Sequence, residues 1–443
     1  MIRYRAHFVL PITAPPIVDG VVAVDNGRIT YAGPRASAPR CAEVDLGDAL
    51  LLPGLVNAHC HLELTAMRGF LEDLDFRSWI LRLTTAKRTV LSRDMLLDAA
   101  RYGIEEGLRH GITSYGDTCD SGVAFDAMRE CGVRGVMYQE VFGPDPAQYG
   151  SAIAELRAKI DHLSPQETSL VRIGVSPHAP YTVSDALFGA VADYAKRGSL
   201  PIAIHIAESQ LEQDLVVRGN GAFAEGLRAR GIAVAPRSRS SIELLESLGV
   251  LATRPLLIHC IRVDEADVAL IAASHSPVAH CPASNAKLGH GIAPLATLLE
   301  AHVTVGLGSD SLASNNRMDI LEEARLAVLF QRALRGQFGE LAAPAALFLA
   351  TLGGAQALGI DREVGSLEPG KAADLAAFPL GMAGPVYDSQ TAAVFALPGT
   401  HASFVAVAGE VLVRDGVLLR ADPAVGRRVQ QSADVLQSWL RTT

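Results

Sequence analysis

Between residues 54 and 308 the chain repeats one alternation, a short apolar run followed by a longer amphipathic stretch. The runs fall at 54–58, 112–115, 135–139, 171–176, 201–206, 255–258, 277–279 and 303–308, with helical patterns such as 94–110 and 184–196 between most of them. A strand covered on both faces reads as a continuous apolar run, and parallel neighbours need a crossover, usually a helix. Eight such units predict an α/β fold, a (β/α)8 TIM-type barrel over 54–362.

The chain ends carry a different pattern. Runs 17–24 and 28–32 flank Asp25-Asn26-Gly27, a hairpin signal. Short strand-like runs at 373–378, 402–407 and 411–414 are broken by Gly and Pro. The two ends are expected to pair into one small β-sandwich domain. Residues 1–53 form its first part, and 363–443 form its second part plus a C-terminal helix.

Composition narrows the class. Hydrophobic residues make up 49% and charged residues 20%, which suits a large buried core and not a disordered chain. Residues 341–360 carry no charge and are long enough to span a bilayer, but Pro344, Thr351, Gly353, Gly354 and Gln356 favour a loop and a buried helix. No membrane partner is expected. The net charge is -9 with no basic stripe, so no nucleic-acid partner is expected either. The six scattered cysteines form no CxxC pair, and the N-terminus has no signal-peptide pattern. Both point to the cytoplasm. A homo-oligomer is compatible with all of this.

In such barrels the functional residues sit at the C-terminal strand ends. Here those ends carry His59, His61, Asp117, Glu140, His178, His205, His259, His280 and Asp310. His59 and His61 are two apart, so on an extended backbone they share one face, with Cys60 opposite. An isolated HxH is most simply two ordinary histidines. One that ends a strand while His205, His259 and Asp310 end others predicts a centre for one divalent metal, with His205 and Asp310 as the best further donors. Zn is the expected ion and Fe the alternative. Glu208, three residues past His205, is placed to move a proton between water and substrate.

Seven segments then resemble the amidohydrolase superfamily, in its cytosine-deaminase-like, ATZ/TRZ-type branch. They are PGLVNAHCHLE (53–63), SPHAPYTVS (176–184), HIAES (205–209), LIHC (257–260), HCPASNAKLGHGIAP (280–294), GLGSDSLASNNRMDILEEARLA (306–327) and GSLEPGKAADLAAF (365–378). The blocks from 176 and 280 are most similar to adenosine, methylthioadenosine, S-adenosylhomocysteine and aminodeoxyfutalosine deaminases. The resemblance implies that His59, His61, His205 and Asp310 hold one metal, and that His259 hydrogen-bonds the water or the tetrahedral intermediate. It further implies that Glu208 protonates the ring nitrogen, that Asp310 carries a proton to the departing amine, and that His178 contacts the substrate. No lysine ends the fourth strand, where two-metal relatives carry a carboxylated one.

Four further residues are weighed for the pocket. Glu63 either reaches it or pairs with Arg68. Trp79 either packs on the substrate or is a core aromatic. His280 either lines the pocket or braces the seventh strand, and His290 lies on a Gly-rich loop. Relatives that bind a ribose often place a glutamate just beyond Trp79, but residues 83–88 read Leu-Thr-Thr-Ala-Lys-Arg, with no acid. The expected function is hydrolytic deamination of an aminated heterocycle, most similar to an adenosine-like nucleoside. The alternatives are the same machinery with another leaving group, as in a chlorohydrolase or amidase, or a catalytically silent scaffold.

Overall fold

A computed structural model describes every residue except 340, 382 and 443. All eight expected central strands form: β1 (Leu55–Cys60), β2 (Ile112–Cys119), β3 (Arg134–Val141), β4 (Val171–Pro177), β5 (Ala203–Ile206), β6 (Leu256–His259), β7 (Val278–His280) and β8 (Val305–Leu307). They make two four-stranded parallel sheets, β1-β2-β3-β4 and β5-β6-β7-β8. Single bridges join the sheets at both seams, Val175 with Ile202 and Cys60 with Asp310. Val56, Ala58, Val136 and Tyr138 of the first sheet share one buried cluster with Ala203, Ile258 and Ala279 of the second. A larger apolar layer lies between the strands and their helices.

The charge-free segment 341–360 folds as a helix, a π-helical turn and a second helix, running Ala343–Phe348, Leu349–Gly353 and Gly354–Ala357. It packs against β1 and β8. A Cβ on Gly354 would lie 2.9 Å from Val56 Cβ, so the close approach needs glycine there. Among the described residues no helix is long and apolar enough to cross a membrane. All six cysteines are free.

Both chain ends enter one nine-stranded sheet. Its order is Val417–Leu418, Glu410–Arg414, Phe404–Val407, Leu375–Pro379, Ala49–Pro53, Ile2–Val9, Ile17–Asp25 and Arg28–Pro34, with Ala42–Asp45 also paired to Ile2–Val9. The expected hairpin closes at Asn26 (φ 48°) and Gly27 (φ 74°), both left-handed as a two-residue turn of matching twist requires.

A buried ion pair ties this sheet to the parallel strands. Arg134 Nε and Nη2 donate to the two carboxylate oxygens of Asp374 at 3.0 and 3.1 Å, and Ala408 N donates to Asp374 Oδ1 at 2.7 Å. Removing one partner leaves a buried charge without its counter-ion, at a cost of about 3–5 kcal/mol. Arg134→Ala is expected to lower stability by that amount in denaturant titration. An unchanged midpoint would show that water replaces the arginine.

Candidate active site

Three departures from regular strand geometry aim the site residues inward. In β1, Val56 and Ala58 face the inner cluster, and plain alternation would send Cys60 inward after them. A register shift against β2 between Asn57 and Cys60 reverses the phase. Cys60 therefore joins the outer layer, with Sγ 3.6 Å from Asp117 Oδ2, while His59 and His61 turn to the centre. In β6, Ile258 faces inward, so His259 would point away, but its φ of 77° turns it back. Asp310, just past β8, has φ 56°. Left-handed conformations at non-glycine residues are costly, and they cluster where function over-determines them.

His59 Nε2 lies 3.4 Å and His61 Nε2 3.6 Å from Asp310 Oδ1, and His205 Nε2 lies 3.2 Å from His61 Nε2. Hydrogen bonds to backbone carbonyls fix the tautomers. His61 Nδ1 donates to the Thr118 carbonyl at 2.9 Å, and His205 Nδ1 donates to the His178 carbonyl at 3.3 Å. Each ring then presents an unprotonated Nε2 to the other. Two lone pairs at that separation repel unless a cation lies between them. His59 is buried, and neither of its ring nitrogens has a hydrogen-bond partner among the described residues. Burial holds it neutral, with its pKa lowered to about 4 despite Asp310. Ligands about 2.0–2.1 Å from a tetrahedral ion sit roughly 3.3 Å apart. The observed 3.2–3.6 Å spacings therefore fit one ion held by His59, His61, His205 and Asp310.

Asp310 is braced from behind. Ser284 Oγ and Ser314 Oγ donate to Oδ2 at 2.5 and 3.1 Å, and Ser311 N donates to Oδ1 at 2.7 Å. Burial alone would raise its pKa, but the imidazoles of His59, His259 and His61 hold it well below the usual carboxylate range. Gly308 lets β8 reach β1: a Cβ there would lie 2.8 Å from His59 O and 2.9 Å from His59 N. Gly308→Ala must push His59 aside. We expect a loss of about 1–3 kcal/mol of stability and up to roughly a hundredfold in kcat/KM. A variant with wild-type kinetics would show that β1 can shift without moving the ligand.

Glu208 is buried beside this cluster. Its Oε1 lies 3.6 Å from His259 Nε2 and 3.5 Å from His290 Nε2. Burial pushes its pKa up, but the two imidazoles outweigh that and leave it lowered, so the carboxylate form is favoured. His259 Nδ1 donates to Asn285 Oδ1 at 2.9 Å, leaving Nε2 for the cavity. The cavity itself is about 300 Å3, with His61, His178, His205, Glu208, His259 and Asp310 at its floor. Trp79, on α1 (Phe76–Val90), lines its wall with Phe76 and Tyr181. Phe76 meets His290 edge-on, at 4.5 Å between centroids. His178, bonded to Thr182 Oγ1 at 2.8 Å, also faces the cavity, and burial lowers its pKa to about 3.

Other expected residues lie elsewhere. Glu63 is buried but is not among the cavity-lining residues. Its carboxylate accepts from Lys87 Nζ, from Ser121 Oγ and, at 3.2 Å, from Cys119 Sγ. Arg68 pairs instead with Glu106. His280 is buried in β7 outside the lining, and its carbonyl accepts Gly308 N at 2.9 Å. Asp117 braces the turn after His61 by accepting Leu62 N at 2.6 Å. Lys87 and Glu140 do line the cavity. Nothing in the sequence pattern of 83–88 marks Lys87 as a cavity residue. Among the described residues three trios have ligand atoms within 4.8 Å of one another: His59, His61 and Asp310; His59, His205 and His259; and Glu140, His178 and His205.

Strand-end imidazoles, a braced aspartate and a free carboxylate around one cavity define a metal-hydrolase centre. A match to the amidohydrolase family spans residues 50–412, and the chain belongs to that family. It is 30% identical over 421 residues to the 5-methylthioadenosine/S-adenosylhomocysteine deaminase of Moorella thermoacetica, covering 94% of each chain. It is 32% identical over 403 residues to the 5'-deoxyadenosine deaminase of Methanothrix thermoacetophila, covering 90% of each. The crystal structure of an adenosine deaminase from Xanthomonas campestris with bound zinc superposes with a TM-score of 0.88 at 29% identity, covering 99% of this chain and 98% of that one.

Proposed function

We propose that the protein is a one-metal hydrolytic deaminase of an adenosine-like nucleoside, with zinc held by His59, His61, His205 and Asp310. The observation that carries this reading is the Glu208 carboxylate, buried beside His259 in the cavity that His61, His205 and Asp310 also line. A bound metal lowers the pKa of water from 15.7 to about 7 and so supplies a nucleophile at neutral pH. The protein supplies the proton traffic. Asp310 takes a proton from the attacking water and delivers it to the amine as that departs. Glu208, a carboxylate at rest, takes the water's other proton and passes it to the ring nitrogen beside the attacked carbon, which draws electron density from that carbon. His259, oriented by Asn285, hydrogen-bonds the attacking water or the tetrahedral intermediate through Nε2. Trp79 and His178 contact the heterocycle. Glu63 acts through Lys87, and His280 steadies β7 against β8.

The wider architecture is part of the proposal. The bridges at both seams support closure of the eight strands into a barrel over 54–362. The shared terminal sheet supports a second domain, a sandwich, from 1–53 and 363–443. The protein is taken to act in the cytoplasm on a small molecule.

The test is ammonia release by metal-replete enzyme from 5'-substituted adenosines, guanine-type bases, pterins and aminated pyrimidines. Release from an adenosine derivative at kcat/KM of about 10⁴ M⁻¹s⁻¹ or more supports the reading. Chloride release from a triazine with no ammonia from any member would overturn it.

A further inference from the structure

Glu212 is the next acid in the chain after Glu208, and the proton traffic described above does not use it. It is fully buried on the short helix Gln210–Gln213, where Ser209 Oγ accepts its backbone N–H at 3.2 Å. Among the described residues no cation pairs with its carboxylate. Instead, Ala207 N donates to Oε1 at 2.8 Å and Glu208 N donates to Oε2 at 3.2 Å. Burial, and to a smaller extent the Glu208 charge, pushes its pKa up to about 7, against the pull of these N–H groups and of the Ser241 hydroxyl. A dry carboxyl without a counter-ion is a costly way to fill space, so its two backbone contacts have to account for it. They fall on a strained turn. Ala207 has φ 52°, a left-handed conformation that alanine adopts only at a cost. Its carbonyl accepts Ile261 N at 2.9 Å and Arg262 N at 2.8 Å, from the loop after β6. The turn is therefore held on both sides, by that loop at the carbonyl and by Glu212 at the N–H.

We propose that Glu212 is a positioning residue for Glu208. It accepts two successive backbone N–H groups and so holds the left-handed turn between β5 and Glu208. That fixes where the Glu208 carboxylate stands beside His259. Glu212 itself is not among the cavity-lining residues, so it acts only through its neighbour. Two successive N–H groups need two acceptor oxygens on one rigid group. A carboxylate supplies both, and an amide supplies one. The inference rests on the deaminase reading, in which Glu208 moves the proton.

The test is a double-mutant cycle on metal-replete enzyme, with kcat and KM for ammonia release from adenosine and metal content measured together. Glu212→Gln keeps the shape but turns an NH2 toward one of the two N–H donors. It should lose about tenfold to a hundredfold in kcat, the scale of a displaced reacting group, with KM and metal content near wild type. In the Glu208→Gln background the same change should cost less than about twofold, because the residue it acts through is already silent. An equal loss in both backgrounds, as a general folding defect or a shift of His205 would give, overturns the assignment and leaves the deaminase reading intact. Loss of metal from Glu212→Gln also overturns it. Ala207→Gly supplies a second arm, since glycine takes left-handed backbone freely. Added to Glu212→Gln, it should raise kcat at least about threefold, or restore a folded enzyme where Glu212→Gln alone does not fold. No recovery in either case overturns the role of the turn. Wild-type turnover in Glu208→Gln, or ammonia from no heterocycle at all, would remove the deaminase reading's proton shuttle and this inference with it.

Discussion

Glu208→Gln should keep its full metal content and lose about 10²–10⁴ in kcat, the usual share of a positioned acid–base group. The substitution keeps size and shape, so the packing beside His259 and His290, now 3.6 and 3.5 Å away, need not change. What disappears is the exchangeable proton. Glutamine can donate a hydrogen bond to a ring nitrogen but cannot transfer a proton to it. The loss should therefore fall on kcat and kcat/KM alike, with little change in KM where KM reports binding. Metal analysis and steady-state ammonia release on one preparation check both halves. Normal turnover would end the proton-shuttle role. Loss of metal would mean that Glu208 helps to hold the ion.

That role was legible in the sequence because Glu208 follows His205 by three residues at a strand end. The eight strands were legible for a related reason. Parallel strands buried on both faces must be apolar throughout, and Gly or Pro marks many of their starts. Runs such as 135–139 therefore needed only extension, to Arg134–Val141. Side-chain direction was harder to read. The HxH spacing shows that His59 and His61 share a face, but not which one. The deciding event is a register shift against β2, whose cause lies in a strand more than fifty residues away. His259 and Asp310 likewise reach the site through left-handed backbone that no local pattern marks. The partner of Glu63 shows the same limit. Arg68 is near in sequence, but Lys87 arrives on α1, and Arg68 has Glu106. Contacts of this kind belong to tertiary packing, and sequence spacing carries little trace of them.

Asp310→Asn should have the opposite signature to Glu208→Gln, losing the metal along with the activity. Asp310 is the only anion among the four donors, so its replacement leaves three neutral imidazoles to hold a divalent cation. Asparagine presents a weaker donor oxygen, and its NH2 has to face either Ser284 Oγ and Ser314 Oγ or the metal position. A loss of about a hundredfold or more in metal affinity follows, larger than the 10–100-fold typical of outer-shell changes. Thermal unfolding reads this directly. Metal at a hundred times its Kd stabilises a protein by about 2.7 kcal/mol. After a hundredfold weakening, the same concentration gives only about 0.4 kcal/mol by the same relation. The metal-dependent rise in Tm should thus nearly vanish in Asp310→Asn and persist in Glu208→Gln. If Asp310→Asn kept the rise but lost turnover, Asp310 would be a proton carrier and not a ligand. If it kept both, the metal centre would rest on the three histidines alone, and the buried aspartate braced by two serines would need another explanation.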